Sequence, residues 1–307
     1  MQFGKVEAPE TIDFSLPKDH KDTSAVLAKY KGKDDFKIYV GCAKWNKTDL
    51  KHFYPKGTKD ELAYYSTQFN SIELNATFYS SPSKEQVKTW KTKTPEGFKF
   101  FPKIPNTISH FKRLIEVKKP VEEFCDAIVM FEEKLGMTFL QMHDNFKPKD
   151  ILRVEQFIKE FPKAVPLAME LRNAEWFEDQ KTSDQIYALM QKHGTTNIIV
   201  DTAGRRDILH MRLTTPIAFI RYVGSNHESD YSRLDEWIER IKAWKKKGLQ
   251  EVYFFVHQNI EKESPLLATY FIEKLNKAFK LELAVPSKLN STGMIFKETP
   301  KPKKSGK

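Results

Sequence analysis

A carboxylate and a carboxamide lie two residues apart in the segment 71–83, SIELNATFYSSPS. Residues 71–75 alternate polar and apolar side chains, which predicts a short strand with Glu73 and Asn75 on one face. Burying such groups is costly unless partners satisfy them, so we expect a functional site where this strand ends. Glu73 could act there as a general base or a metal ligand. It could also be a structural carboxylate paired with a lysine or arginine of a neighbouring strand.

A second acid and base share a face in the segment 169–172, MELR. Glu170 and Arg172 could serve as a general base and an anion clamp, or they could form an ion pair that satisfies itself. Arg221 carries a planar guanidinium that suits phosphate or carboxylate. Its alternative is to pair with Glu170 or Asp201. Charged groups of both signs therefore stand at the ends of predicted strands.

Two further charged residues end predicted strands. Lys103 could hold an anionic group, act as a nucleophile or base if desolvated, or be a structural partner of Glu73. Asp201 could be functional, or it could cap the segment that follows. We select as candidate catalytic residues Glu73, Lys103, Glu170 and Asp201. Candidate ligand-binding residues are Trp45, Asn75, Tyr79, His110, Gln141, Arg172, Arg221 and His257.

The elements that would position these residues alternate along the chain. Short apolar segments predict eight strands, at residues 37–41, 71–75, 98–103, 138–142, 167–171, 197–201, 218–222 and 252–257. Between most of them, apolar residues spaced three and four apart predict helices, at residues 59–69, 84–90, 120–135, 150–161, 183–193, 231–246 and 264–279. Alternation of this kind indicates parallel βαβ units.

These units favour a single (β/α)8 TIM-type barrel over an open doubly wound sheet. The strand count fits the barrel, and the segment GCAK after the first strand is not a dinucleotide-binding fingerprint. We predict an α/β fold with the barrel at residues 36–285. An irregular N-terminal extension would occupy residues 1–35, and a C-terminal extension with a disordered basic tail residues 286–307. Because functional sites of such barrels form at the carboxyl ends of the strands, we expect the candidates to converge at one mouth.

Composition and charge narrow the classes of function. The chain holds only two cysteines, Cys42 and Cys125, which argues against a disulfide framework and for a cytoplasmic location. No apolar run approaches the ~18 residues of a membrane span, so we expect no membrane partner. The net charge of +10 owes much to residues 297–307, which carry five lysines against one glutamate. Such a basic surface indicates solubility before it indicates a nucleic-acid partner.

A series of motifs runs over about residues 38–275, and its members in order are VGCAKW (40–45), FYP (53–55), Tyr65, FNSIELNATFY (69–79), Trp90, Thr94-Pro95, FKF (98–100), Lys103, Ser109-His110, FLQ (139–141), MELR (169–172), Trp176-Phe177, Asp201, Ile220-Arg221 and Gly224. Together these motifs resemble the DUF72 family, the YecE-like proteins, whose fold is a TIM-type barrel and whose activity is unassigned. The resemblance implies the same fold here.

The chain departs from the family pattern at three strand ends. Val223 stands where the family often has histidine, and His143-Asp144 stands near a common proline pair. His257 and Gln258 replace the usual asparagines after the last strand. The resemblance therefore supports the candidates on strands two, three and five better than those on strands four, seven and eight.

The sequence predicts a polar, net basic pocket that binds an anionic small molecule, phosphorylated or carboxylated. Lys103, Arg172 and Arg221 would hold the anion, and Glu73 or Glu170 would serve as general acid and base. We expect no cofactor. We also expect no tightly bound metal, because no close-spaced ligand motif occurs and the surrounding cations would repel one.

Two alternatives stay open. A metal-dependent phosphodiesterase or nuclease-like barrel would use the acids and histidines at the strand ends, which are Glu73, His143, Glu170, Asp201 and His257. A non-catalytic nucleic-acid or protein-binding module would use the basic surface, with nucleic acid as the less favoured partner. The sequence does not decide whether the chain is an enzyme.

Overall fold

The computed structural model describes residues 4–33 and 35–287 and contains eight parallel strands. Each strand overlaps a segment that the sequence predicts, because buried parallel strands form short, nearly continuous apolar runs. Their bounds are β1 Lys37–Cys42, β2 Ser71–Leu74, β3 Lys99–Pro102, β4 Thr138–Gln141, β5 Leu167–Glu170, β6 Thr196–Asp201, β7 Ile217–Gly224 and β8 Glu251–Gln258.

The helices follow the predicted alternation. Ser83 caps its helix as an N-cap serine should, accepting a hydrogen bond from the backbone N–H of Gln86. The predicted helix at 120–135 breaks after Ile128 into a 3-10 segment, in which Glu132 takes a positive φ of 50°. The α-helices are α1 Thr23–Ala28, α2 Glu61–Gln68, α3 Ala76–Tyr79, α4 Lys84–Thr92, α5 Lys118–Ile128, α6 Ile151–Glu160, α7 Glu175–Glu178, α8 Gln180–Lys192, α9 Ser229–Lys247 and α10 Ser264–Phe279.

The strands enclose one interior. Six of them pair in the order β1-β8-β7-β6-β5-β4, and β2 pairs with β3. Between β3 and β4 the pairing is reduced to a parallel bridge from Lys103 to Phe139, where the N–H of Ile104 donates to the Phe139 carbonyl at 2.9 Å. Side chains of strands that are not neighbours touch across the interior, and the Phe101 and Phe255 rings are 4.9 Å apart. The predicted α/β barrel class is thus confirmed.

Side chains, rather than a backbone ladder, join β1 to β2, and we call this junction the β1–β2 seam. The Asn70 side chain accepts from the N–H of Val40 at 2.8 Å and donates to the Ile38 carbonyl at 2.9 Å. One carboxamide can do both because it carries an acceptor and a donor side by side. The Asn70 side chain thereby forms the two hydrogen bonds that the backbone of a neighbouring strand would otherwise form with β1.

A tyrosine and a glycine complete the seam. The Tyr65 hydroxyl accepts from the N–H of Cys42 at 2.7 Å and donates to the Ser71 carbonyl at 3.1 Å. The two backbones approach so closely that a Cβ at position 41 would lie 2.2 Å from the Ser71 carbonyl oxygen. Only glycine fits at Gly41, which explains the small residue in the middle of a strand.

The barrel interior is arranged in layers, because strand side chains alternate between two faces. A buried apolar cluster, rich in aromatic rings, fills the lower interior with Phe101, Met137, Phe139, Ala168, Ile198, Val200, Phe219, Tyr253 and Phe255. Two residues further along the strands, on the same faces, stand Lys103, Gln141, Glu170, Arg221 and His257. Polar groups therefore lie directly above an apolar layer, at the carboxyl ends of the strands.

The N-terminal segment is less irregular than the sequence suggests. Its described part contains a 3-10 turn at Pro9–Thr11 and the helix α1, and residues 203–208 of the loop after β6 also form a 3-10 segment. The six residues of α1 are too few to display a helical period in the sequence. The predicted disordered tail falls largely on residues 288–307, outside the described residues. Within the described part of the chain, no helix is long and apolar enough to cross a membrane.

Candidate functional site

A single arginine joins two buried glutamates from different strands. Arg221 of β7 donates through Nε and Nη2 to the two carboxylate oxygens of Glu73 on β2, at 2.8 and 2.7 Å. Its third nitrogen, Nη1, donates to Glu170 Oε2 on β5 at 2.6 Å. Both glutamates are fully buried, so the guanidinium compensates two charges that burial would otherwise penalise. This confirms that the barrel brings Glu73, Glu170 and Arg221 together.

Glu73 has two further partners. Asn75 Nδ2 donates to its Oε1 at 2.8 Å, so the predicted shared face of these two residues exists. His257 Nε2 lies 3.2 Å from its Oε2. Burial alone would raise the pKa of Glu73, but the charges of Arg221 and His257 outweigh burial and hold it well below its usual range.

Glu170 is surrounded in the same way. Gln141 Nε2 donates to its Oε1 at 3.0 Å, and Arg172 Nε donates to the same oxygen. Burial opposes ionisation, but Arg172 and Arg221 prevail and lower the pKa of Glu170 to about 2. Both glutamates are therefore ionised near neutral pH, and such strongly stabilised carboxylates are weak bases.

Lys103 has a different environment. Its Nζ donates to Gln141 Oε1 at 2.8 Å and stands 4.0 Å from the centre of the Phe78 ring. Among the described residues, no carboxylate oxygen lies within 4.0 Å of this amine. Burial, followed by repulsion from Arg221 and Arg172, lowers the pKa of Lys103 to about 7. Lys103 can therefore exchange a proton near neutral pH.

His257 is the second titratable group of the site that is not a carboxylate. Burial lowers its pKa, but Glu73 and Glu261 more than compensate and the net shift is upward from 6.5. Glu261 Oε1 is 3.8 Å from the other ring nitrogen. The side chain remains 13% exposed, so a ligand could reach it from solvent. His257 is among the positions at which the chain departs from the family pattern.

We call the residues joined by these contacts the mouth cluster. It contains eight of the predicted site residues, namely Glu73, Asn75, Lys103, Gln141, Glu170, Arg172, Arg221 and His257. Its two carboxylates balance its two guanidiniums, so each proton on Lys103 or His257 adds a net positive charge.

An aromatic row borders the mouth cluster. The ring of Phe78 lies 5.2 Å from that of Tyr79 and 5.0 Å from that of His110, which in turn lies 5.2 Å from His143. Burial and the neighbouring His143 and Lys103 lower the pKa of His110 to about 4. Tyr79 is 77% exposed at the end of this row. His110 therefore touches the site through Phe78, while Tyr79 faces solvent.

Trp45 and Asp201 do not join the mouth cluster. The Trp45 ring packs edge-on against Trp90, with centroids 5.8 Å apart. Asp201 lies on the opposite face of β6 from Val200 and points towards α9, where Arg233 Nη2 and Trp237 Nε1 bond its carboxylate at 2.9 and 2.8 Å. The expectation that Asp201 converges with the other candidates is therefore wrong.

Several neighbours of the site are not among the residues that the sequence predicts for it. Phe78 is not among the candidates, yet its ring covers the Lys103 amine. Arg205 donates to the Arg172 carbonyl at 2.8 Å, and Glu261 approaches His257. Phe78 follows the strand of Glu73 closely in the sequence, and this position could have predicted that its ring lies near the site. Arg205 and Glu261 lie in short 3-10 segments after β6 and β8, which are too short for a periodic pattern to indicate where their side chains point.

One group of metal-compatible side chains occurs elsewhere in the described residues. Ligand atoms of His20, Asp22 and Asp184 lie within 4.8 Å of one another. Lys21 and Arg212 also lie 3.4 and 3.7 Å from the two carboxylates, so the group already has cationic partners. At the mouth, a metal would have to displace Arg221 from Glu73 and Glu170.

Residues 39–290 match the family described as Protein of unknown function DUF72, and the chain belongs to this family. The UPF0759 protein YecE of Escherichia coli strain K12 is 25% identical over 272 residues, which cover 81% of this chain and 97% of YecE. The UPF0759 protein YunF of Bacillus subtilis strain 168 is 27% identical over 173 residues, which cover 53% of this chain and 60% of YunF. The predicted family resemblance is confirmed.

Solved structures share the fold. A DUF72 family protein of Thermotoga maritima MSB8 aligns with a TM-score of 0.65 and 27% identity, covering 78% of this chain and 99% of its own. Another, of Enterococcus faecalis V583, aligns with a TM-score of 0.63 and 19% identity, covering 80% and 99%. The second likeness is one of fold alone.

Proposed function

We propose that the mouth cluster binds a small anionic ligand, phosphorylated or carboxylated, and catalyses a general acid/base reaction on it. One observation carries the proposal: among the described residues, the buried Lys103 amine has no carboxylate oxygen within 4.0 Å, while the charges of Arg221 and Arg172 repel its ammonium form. An anion placed there would relieve the repulsion among three cationic groups. The low dielectric of the site strengthens that attraction.

The residues would divide the work by charge and by proton affinity. We assign anion contact to Arg172 because its side chain is more exposed than that of Arg221, 16% against 7%. Lys103 and His257 would carry protons, because the pKa of Lys103 is about 7 and the pKa of His257 is raised from 6.5 by Glu73 and Glu261. Glu73 and Glu170 would hold Arg221 in place. This differs from the sequence expectation, which gave proton transfer to the two glutamates.

Anion binding is tested by calorimetric titration with inorganic phosphate and with pyruvate, using glycerol as a neutral control. Arg172→Gln should weaken anion binding by about tenfold or more, since a hydrogen bond to a charged group contributes about 1.5–3 kcal/mol. Arg153→Gln is the matched control, because Arg153 of α6 pairs with Asp150, which is not part of the mouth cluster. Equal anion affinity in all three proteins would overturn the assignment.

Catalysis is tested by proton NMR of carboxylated and phosphorylated metabolites incubated with the protein in D2O. We expect solvent deuterium to enter one of them, or a new product to appear. Lys103→Met and His257→Gln should each abolish that change. A conversion that persists at the full rate in both variants would remove these residues from the mechanism.

A further inference from the structure

Two lysines of the described chain are equally buried, but their amines have different numbers of hydrogen-bond acceptors. Lys103 and Lys134 are each 7% exposed. The Lys134 amine donates to the carbonyls of Lys91 and Thr94 at 2.9 and 2.5 Å and to the Thr94 hydroxyl at 3.2 Å. Three oxygens match the three protons of an ammonium, so Lys134 is a structural cation. Lys103 has one oxygen acceptor, Gln141, and an aromatic face.

The arrangement around Lys103 keeps carboxylates away from it. Arg221 and Arg172 hold Glu170, and Gln141 stands between Glu170 and the amine, bonding one with its nitrogen and the other with its oxygen. A neutral amide can satisfy one proton of Lys103 but cannot compensate its charge. The neutral amine is thereby favoured, in line with its lowered pKa. A desolvated lysine beside other cations is the form that acts as a nucleophile towards carbonyl groups.

We propose that Lys103 is a covalent nucleophile that forms an imine with an aldehyde or ketone carrying a carboxylate or phosphate. The proposal rests on the proposed function for the anionic part of the ligand and adds the carbonyl group and the covalent bond. Arg172 would hold the anion while Lys103 attacks the carbonyl carbon. Phe78 would shield the amine from water on one side.

The step balances without an oxidant or reductant. The lone pair of the neutral Lys103 Nζ forms the new C–N bond, and one of the two nitrogen protons moves to the carbonyl oxygen, which gives a hydroxyl and restores the nitrogen lone pair. A second proton, the one that Lys103 gives up when its ammonium becomes the neutral amine, adds to that hydroxyl, which leaves as water while the nitrogen lone pair forms the C=N bond. Overall, an ammonium and a carbonyl give an iminium and one water. The iminium then withdraws electrons from the neighbouring carbon, as required for proton removal or carbon–carbon cleavage.

The test is reductive trapping with the full chain. The protein is incubated at pH 7 with sodium cyanoborohydride and with pyruvate, dihydroxyacetone phosphate or neutral dihydroxyacetone, and adducts are located by peptide mass spectrometry. We expect one adduct per chain, at Lys103, with an anionic probe. Labelling should exceed that of exposed Lys88 about tenfold or more, because an ordinary lysine is almost wholly protonated at this pH. Preference for pyruvate or for the phosphate probe identifies which anion the site takes.

The outcomes separate this inference from the proposed function. Labelling scattered over surface lysines, or equal labelling by dihydroxyacetone, overturns the nucleophile. Anion binding by calorimetry without trapping at Lys103 also overturns it but leaves the proposed function standing. Absence of both anion binding and trapping overturns both. Lys103→Met should lose the adduct and Lys88→Met should retain it, and peptide mapping of the unaltered protein decides the matter if Lys103→Met does not fold.

Discussion

Arg221 binds both carboxylate oxygens of Glu73, at 2.7 and 2.8 Å, although the two residues are 148 positions apart in the sequence. Two parallel N–H to oxygen bonds fix the orientation of both planar groups, which a lysine could not do. This geometry leaves the third nitrogen of the guanidinium directed at Glu170. Arg221 is thus the residue on which the positions of β2, β5 and β7 at the mouth depend.

The first prediction concerns this arginine. Arg221→Met should destabilise the protein by about 3–5 kcal/mol at pH 7, because two buried carboxylates would lose their shared partner. Urea unfolding followed by circular dichroism measures the change. Arg153→Met is the control: its side chain is 37% exposed and its partner Asp150 also has Arg113 at 3.7 Å, so stability should change by less than about 0.5 kcal/mol. If the two variants were equally stable, Glu73 and Glu170 would not depend on Arg221.

The second prediction concerns acid unfolding. The pKa of Glu170 falls from 4.5 to about 2 on folding, so its contribution to stability is complete above 4.5 and is lost as the pH falls towards 2. The contribution is on the order of 3 kcal/mol. Glu170→Gln should therefore flatten the loss of stability between pH 4.5 and 2, measured by urea unfolding at several pH values. Exposed Glu160 on α6 offers the control, since Glu160→Gln should retain the wild-type slope.

The sequence predicts the barrel and the location of the site because both follow from periodicity. Apolar runs of four to eight residues define the strands, and the ends of parallel strands in a barrel must meet at one mouth. Periodicity does not show which side chains of a wholly buried strand face the barrel interior and which face the surrounding helices. Residues 197–201 of β6 are all buried, so Asp201 could point inward or outward, and it points outward.

The chemical roles were harder to predict than the positions. Whether Glu73 is a base depends on its partners, and Arg221 and His257 come from strands far along the chain. Pairing lowers the pKa of Glu73, whereas desolvation and repulsion from Arg221 and Arg172 lower the pKa of Lys103. Such effects are set by contacts across the barrel, which residue types and spacing do not specify. The role of Asn70 in the seam also depends on contacts with a distant strand, because its side chain bonds the backbone of Val40 and Ile38.

The third prediction concerns the buried amine. The pKa of Lys103 falls from 10.5 to about 7 on folding, so between these values the unfolded chain binds more protons and stability must rise with pH. The gain is on the order of 5 kcal/mol over that range. Lys103→Met lacks the titrating group. The wild type should therefore gain stability relative to this variant between pH 7 and pH 10, in guanidinium unfolding. Parallel stability curves would contradict a desolvated Lys103, and Lys88→Met should give such parallel curves.

The fourth prediction concerns the β1–β2 seam. Gly41→Ala would place a methyl group 2.2 Å from the Ser71 carbonyl oxygen, which is backbone and cannot rotate away. The two strands must separate, at a cost of about 1–3 kcal/mol or more. The thiol of Cys42, fully buried beside the seam, should then react faster with iodoacetamide, as followed by peptide mass spectrometry.

Cys125 on α5 provides an internal control for that measurement, since it is also buried but belongs to a helix that the substitution does not touch. Faster alkylation of Cys42 with unchanged alkylation of Cys125 would show local opening between β1 and β2. Faster alkylation of both thiols would instead indicate that the substitution destabilises the whole protein. Local opening of the β1–β2 seam would then be contradicted. If neither the alkylation rates nor the stability changed, a methyl group would fit at position 41. The close approach of β1 to Ser71 would then be contradicted.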